Sequence, residues 1–228
     1  MWFGGEDAAD AGTKDNIVEI SPFLTDRSFP EIAEVDAYWQ ALRGDRLMPA
    51  RAELDPRGIK GVLPNCFILE RIAPGIGRIR LAGQRLDDLM GMEVRGTPFT
   101  TLFTPQYRKM IEELSEEVCA APGVAQLALS AERGLRKPAI EARMTLWPLA
   151  DDRGRPTRIL GGLSFKGDVG RSPRRFQVAS SRVKRLASAT SATRQRQTAG
   201  FAEAPAPFVA KPEKPPTRSA HLRLVKTD

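Results

Sequence analysis

CFILERIAPGIGRIRLAG, residues 66–83, is the stretch on which the fold turns. Its first half, Cys66–Ile72, is a short apolar run. Pro74-Gly75 and Gly77 interrupt it. Arg78–Gly83 then resumes, with Ile79 and Leu81 alternating against Arg78 and Arg80. Two short runs parted by a Pro/Gly break predict a β-hairpin. So short a connection makes the pair antiparallel, because parallel pairing needs a crossover of a dozen residues or more.

Downstream the period changes. Leu86, Leu89 and Met90 followed by Gly91 predict one or two helical turns, and Leu102-Phe103 another. Thr104-Pro105 opens a longer helix with Tyr107, Ile111, Leu114 and Val118 on one stripe, ended by Pro122-Gly123. Three strands are then expected: Val124–Ser130, Ala139–Leu149 and Arg158–Lys166, with polar turns between them. Upstream, Ile32, Val35, Trp39 and Leu42 recur at helical spacing. Ser28 is the expected cap, Pro30 sits in the first turn and Gly44 is the stop. Residues 44–64 read as an irregular connection.

The fold class this order predicts is α+β: a five-stranded antiparallel sheet with the helical middle segment covering one face. The first helix is available to cover part of the other. The expected organisation is a flexible arm over 1–27, the domain over 28–168, and a basic, Pro/Ala/Ser-rich disordered tail over 169–228. Within that tail, Phe176, Ala179, Val183 and Leu186 could form a basic amphipathic helix on a partner.

The net charge of +7 is unevenly spread. Residues 171–228 hold 13 Lys+Arg and 3 Asp+Glu, so the rest of the chain is mildly acidic. A case for nucleic acid or an anionic membrane as partner therefore rests on the tail alone. The tail lacks interleaved aromatics, which serves base stacking poorly. Two cysteines, Cys66 and Cys119, make neither a disulfide framework nor a zinc site, and point to a reducing, cytoplasmic setting. Neither a signal peptide nor a transmembrane segment is expected.

A series of residues carries a family likeness: Tyr38-Trp39 with Leu42-Arg43-Gly44, Pro49, Arg51, Leu54-Asp55-Pro56, the run Leu63–Leu69, RIRLAG at 78–83, Leu86, Leu89-Met90-Gly91, Gly96 and Leu102-Phe103. In this order they resemble the PAS fold. They are similar in particular to a family of stand-alone bacterial PAS-like domains, found chiefly in alphaproteobacteria. The resemblance covers about residues 28–168. It implies a signalling or scaffold module that acts on signalling proteins in trans, and a cavity between sheet and helices. It also implies homodimerisation through the first helix and the outer sheet face, with no particular ligand. The candidate cavity wall is Phe67, Leu69, Leu81, Leu89, Phe99, Phe103, Ile111, Met144 and Phe165. Arg80 stands at its rim, either to hold an anion or to pair with a strand neighbour.

Trp147 is out of phase with the inward positions of its strand and is expected on the outer face. The first helix, with Tyr38, Trp39 and Leu42, packs there within one chain or across a dimer. These four residues form the candidate interface.

Other motifs point away from chemistry. Asn65-Cys66-Phe67 is similar to the Asn-Cys-x-Phe of flavin photoreceptors of the PAS class. It leads into a strand rather than sitting on a helix over the cavity, which argues for a buried structural thiol and against a cysteinyl flavin. The only histidine, His221, lies in the tail, which argues against histidine-ligated haem and weakens triad and metal readings. Gly4-Gly5-Glu6-Asp7 echoes a cyclase signature in the wrong place. Asp87-Asp88 and Glu112-Glu113 with Glu116-Glu117 belong on a solvated helix face. The cofactor is left open. The expected function is a non-catalytic sensory or adaptor protein; the alternative is nucleic-acid or membrane-surface association through the tail.

Overall fold

The computed structural model describes residues 28–187. Helix α1 (Pro30–Arg43) begins with Pro30, whose missing N–H is no loss in a first turn, and stops at Gly44 (φ +54). Phe29, rather than Ser28, occupies the cap position. Short 3-10 turns at Arg51–Glu53, Pro56–Ile59 and Leu63–Asn65 carry the chain to strands β1 (Cys66–Ala73) and β2 (Ile76–Ala82). Helix α2 (Gln84–Met90) ends on left-handed Gly91. A 3-10 turn at Phe99–Leu102 and another at Pro105–Tyr107 lead into α3 (Arg108–Ala120). Strands β3 (Gly123–Ala131), β4 (Glu141–Ala150), β5 (Pro156–Lys166) and β6 (Phe176–Arg185) follow.

All strand pairs are antiparallel, in the order β2-β1-β5-β4-β3-β6. The first and last strands of the expected five, β1 and β5, meet in the middle. Phe67 pairs with Gly161 there, and Gly161 is needed: a Cβ on it would lie 2.1 Å from the Phe67 ring.

The two faces are covered differently. On the inner face, α2, α3 and the turns between them enclose one apolar cluster. It includes Phe67, Leu86, Phe99, Phe103, Ile111, Val118, Leu127, Met144 and Leu163. On the outer face, α1 seals a second cluster with Val35, Trp39, Ile68, Trp147 and Leu160. Strand β4, buried on both sides from Met144 to Ala150, therefore reads as a continuous apolar run rather than an alternation.

Two expectations are corrected. The sheet has a sixth strand, and it lies in what the sequence reading assigned to the disordered tail and to an amphipathic helix. Phe176 and Val178 are buried in the inner cluster, and β6 pairs with β3 along its length. The register shifts between Ala128 and Leu129, so Ala179 is an extra residue in the ladder. That bulge spaces the inward residues as 176, 178, 181 and 183, a pattern that passes for a helical one. Six of the thirteen cations counted for the tail belong to β6 and its lead-in, so much of its basicity is structural. Residues 1–27 and 188–228, with the rest of the arm and tail readings, lie outside the described residues.

The second correction concerns Leu81. A shift between Ile68 and Leu69 makes Arg80 a bulge: Leu69 faces Ile79, while Ile68 faces Leu81. Ile79 is buried inside, whereas Leu81 turns to the outer face and is 47% exposed. It is not part of the inner wall.

Candidate functional site

The remaining candidate wall residues converge on the inner face. Phe67, Leu69, Leu89, Phe99, Phe103, Ile111 and Met144 are buried together, and Phe165 packs against them half-buried. The rings are closely arranged. Phe67 and Phe99 lie 5.7 Å apart at 30°, and Phe99 and Phe103 meet edge-on at 5.4 Å and 78°. These pairings give each ring a specific partner beyond area burial.

The outer face bears an open groove of about 270 Å³ between the 51–63 segment and strands β1, β2 and β5. Its lining is mostly hydrocarbon: Leu54, Ile59, Leu63, Ile68, Leu81 and Leu160, with Cys66 and the Phe67 edge. Arg51 and Asp55 supply the charge at its rim. The groove wall is tied to α1 by one side chain. Tyr38 Oη donates to Asp55 O (2.9 Å) and accepts from Asp55 N–H (2.8 Å). Sequence reasoning named Leu81 for the wrong face and Tyr38 for an interface. The bulge at Arg80 puts Leu81 in the lining of this groove, and Tyr38 braces its wall from behind at the Asp55 backbone.

The interface residues are placed within the chain. Trp39 and Trp147 are fully buried; Trp39 Nε1 donates to Pro148 O (3.1 Å) and Trp147 Nε1 to Asp36 Oδ1 (2.7 Å). Both indole N–H groups are satisfied inside one copy, so neither ring is free to anchor a dimer. Tyr38 and Leu42 are half-buried.

Arg80 pairs with Glu70, which also takes Arg158. Burial works against ionisation of Glu70, and the two guanidiniums outweigh it, holding its carboxyl below the usual range. Arg80 thus acts as a strand neighbour's partner. The other acids have structural tasks as well. Glu116 accepts from Arg71 (2.6 and 2.7 Å) and from Gly75 N–H, and Asp87 caps the turn at Val94 N–H. Glu112 and Glu113 face solvent. Burial pushes the Cys66 thiol up to about 12, and its Sγ lies 3.4 Å from Val62 O. Cys119 is pushed to about 11 by the same cause.

An antiparallel sheet with the helical segment between β2 and β3 laid over one face is the arrangement the sequence resemblance implies; the order β2-β1-β5-β4-β3 comes from the structure. A family profile described as PAS domain matches residues 27–164. The chain belongs to the PAS domain family. PAS domains are generally sensory, signalling modules, and the coarse function follows from membership. Comparison with curated proteins returns no match. Among the described residues of this PAS chain no helix is long and apolar enough to cross a membrane.

One functional-looking residue escaped the sequence reading. Arg174 is completely buried. Its guanidinium donates to the carbonyls of Val169, Glu132 (3.1 Å) and Pro138, and its N–H to Leu89 O (2.8 Å). It fastens the entrance of β6 to α2, to the β3–β4 connection and to the β5–β6 connection. Because its partners are backbone carbonyls, no complementary side chain in the sequence announces it.

Proposed function

We propose that this PAS domain is a non-catalytic sensory or adaptor module that binds a small apolar molecule in the outer groove and reports its occupancy through α1 to a signalling protein in trans. The reading is supported above all by the two-way Tyr38–Asp55 hydrogen bond, which couples the groove wall to the helix that seals the outer face. A ligand wedged between Leu54, Leu81 and Ile68 moves the Asp55 backbone. Tyr38 transfers that shift to α1, whose Trp39 seat on Pro148 O has a discrete geometry to lose. Such a ligand works by binding a displaced placement of α1 more tightly than the one seated on Pro148 O. The inner wall of Phe67, Phe99, Phe103, Ile111 and Met144 is the rigid backing against which the sheet responds.

Native mass spectrometry of the protein purified from cells that express it naturally tests the seat. A retained small molecule is expected, and Leu81→Arg removes it. Amide exchange of α1 then tests the coupling: removing the bound molecule changes protection in α1 in the wild type and not in Tyr38→Phe. A chain that retains nothing, or retains it equally with Leu81→Arg, contradicts the groove as the seat.

A further inference from the structure

The connection between β3 and β4 presents an arrangement that neither the groove nor the core explains. Gly134 and Lys137 exchange backbone hydrogen bonds (3.3 and 3.0 Å), which leaves Leu135 and Arg136 as the two central residues of a tight turn. Arg136 adopts φ +60, and its carbonyl accepts from Arg171 N–H (2.8 Å), so the turn is pinned to the 170–173 segment. Leu135 at its tip is 85% exposed, the most exposed large apolar side chain of the described residues. A solitary exposed leucine is common; this one sits in a ring of cations.

Beside the turn lies an open hollow of about 390 Å³, whose walls include Arg133, Leu135, Lys137, Arg171 and Ser172. Its single acid, Glu132, is occupied by Lys137 (2.8 Å). Arg133, Arg136 and Arg171 have no ion-pair partner among the described residues. Arg174, buried and bonded only to carbonyls through its guanidinium, is anchored to the same connection through Glu132 O and adds a charge that no carboxylate bonds. The hollow therefore carries a net positive charge from Arg133 and Arg171, and its apex is aliphatic with no aromatic ring for base stacking. That combination suits a lipid surface better than a nucleic acid.

We propose that the β3–β4 turn docks on an anionic bilayer, with lipid phosphates seated on Arg133 and Arg171 in the hollow and Leu135 entering the acyl boundary.

The test uses the full chain. Leu135→Cys carries an environment-sensitive fluorophore; Cys66 and Cys119 are buried, so the label goes to the turn. With vesicles of phosphatidylglycerol and phosphatidylcholine the label's emission shifts to the blue, and with phosphatidylcholine alone it does not. In co-sedimentation, Arg133→Glu/Arg171→Glu weakens binding to the anionic vesicles roughly tenfold or more, and Leu135→Glu about fivefold or more. Arg194→Glu/Arg196→Glu, an equal charge change beyond residue 187, leaves the spectral shift intact. The proposal is overturned if the chain sediments with vesicles while the label stays in water, which assigns binding to residues outside the turn. It is overturned equally if an oligonucleotide, and not the vesicles, moves the emission.

Discussion

Gly161 and Gly77 show how much single positions differ in what they tolerate. A methyl at Gly161 would meet three atoms of the Phe67 ring at 2.1–2.6 Å, at the crossing of the two central strands. A methyl at Gly77 meets only Phe99 Cβ, at an ordinary 3.8 Å. Gly161→Ala is expected to lower unfolding stability by about 2–3 kcal/mol and Gly77→Ala by less than about 1 kcal/mol, measured by urea titration. Asp151 makes the corresponding electrostatic case. The backbone N–H of Arg155 is the largest influence on its carboxyl; burial opposes it, and the N–H of Arg153 and the side chains of Arg155 and Thr157 help to bring it to about 2. A carboxyl depressed in the folded state stabilises above its unfolded value and loses that contribution as pH falls through the folded one. The stability gap between wild type and Asp151→Asn is therefore expected to be constant above about pH 4 and to close between there and pH 2, as pH-dependent denaturation will show.

At the level of elements, β6 is the part of the fold whose removal is most informative. Truncation after Gly170 takes away the buried Phe176 and Val178, each worth about 1.5–3 kcal/mol, together with the Arg174 fastening. Against a typical total of about 5–15 kcal/mol, that loss is expected to leave a marginal domain with an earlier denaturant midpoint. Truncation after Ala187, which keeps β6 whole, is expected to have a clearly later midpoint than truncation after Gly170. Equal midpoints for the two truncations would sink the idea that β6 belongs to the folded unit. The same element marks where the sequence stopped being legible. The helices were readable from apolar residues recurring at a period of 3.6, and strands β1 to β5 from short apolar or alternating runs bounded by Gly, Pro and charged turns. The two misreadings, Leu81 on the inner wall and β6 as a helix, both come from bulges. One inserted residue reverses every later side chain, and nothing in RIRLAG or FQVASSRVKR marks the insertion. The groove was hidden for a related reason. Its wall comes from an irregular segment whose position depends on a tyrosine bonding to backbone, and backbone partners leave no trace in composition.

Across the whole molecule, burial of both faces keeps the two thiols out of reach. Cys66 lies in the outer cluster and Cys119 in the inner one, so between them they sample both layers. With their titration raised to about 12 and about 11, native protein at pH 8 is expected to react with a thiol reagent only through opening. Labelling of the two sites should then speed up together with added urea. Prompt reaction of Cys66 alone would instead show the reagent entering by the outer groove, whose lining includes that residue. Nearby, Arg43 Nη2 donates to Ala187 O (2.7 Å), so the last turn of α1 and the exit from β6 are held by one contact.

The edge position of β6 also gives the molecule a mechanical polarity. A tether pulling from Ala187 first breaks the Arg43 bond to Ala187 O and the Leu186 N–H bond to Pro122 O, then loads the ladder at the Arg185–Gly123 pair and opens it rung by rung towards Phe176, like a zipper. Rupture of this kind proceeds at low force until it reaches Arg174, where three carbonyl bonds must yield at once. Under tension the strand would peel as far as that arginine and halt, leaving an extended but still anchored chain that can rewind when the load is released.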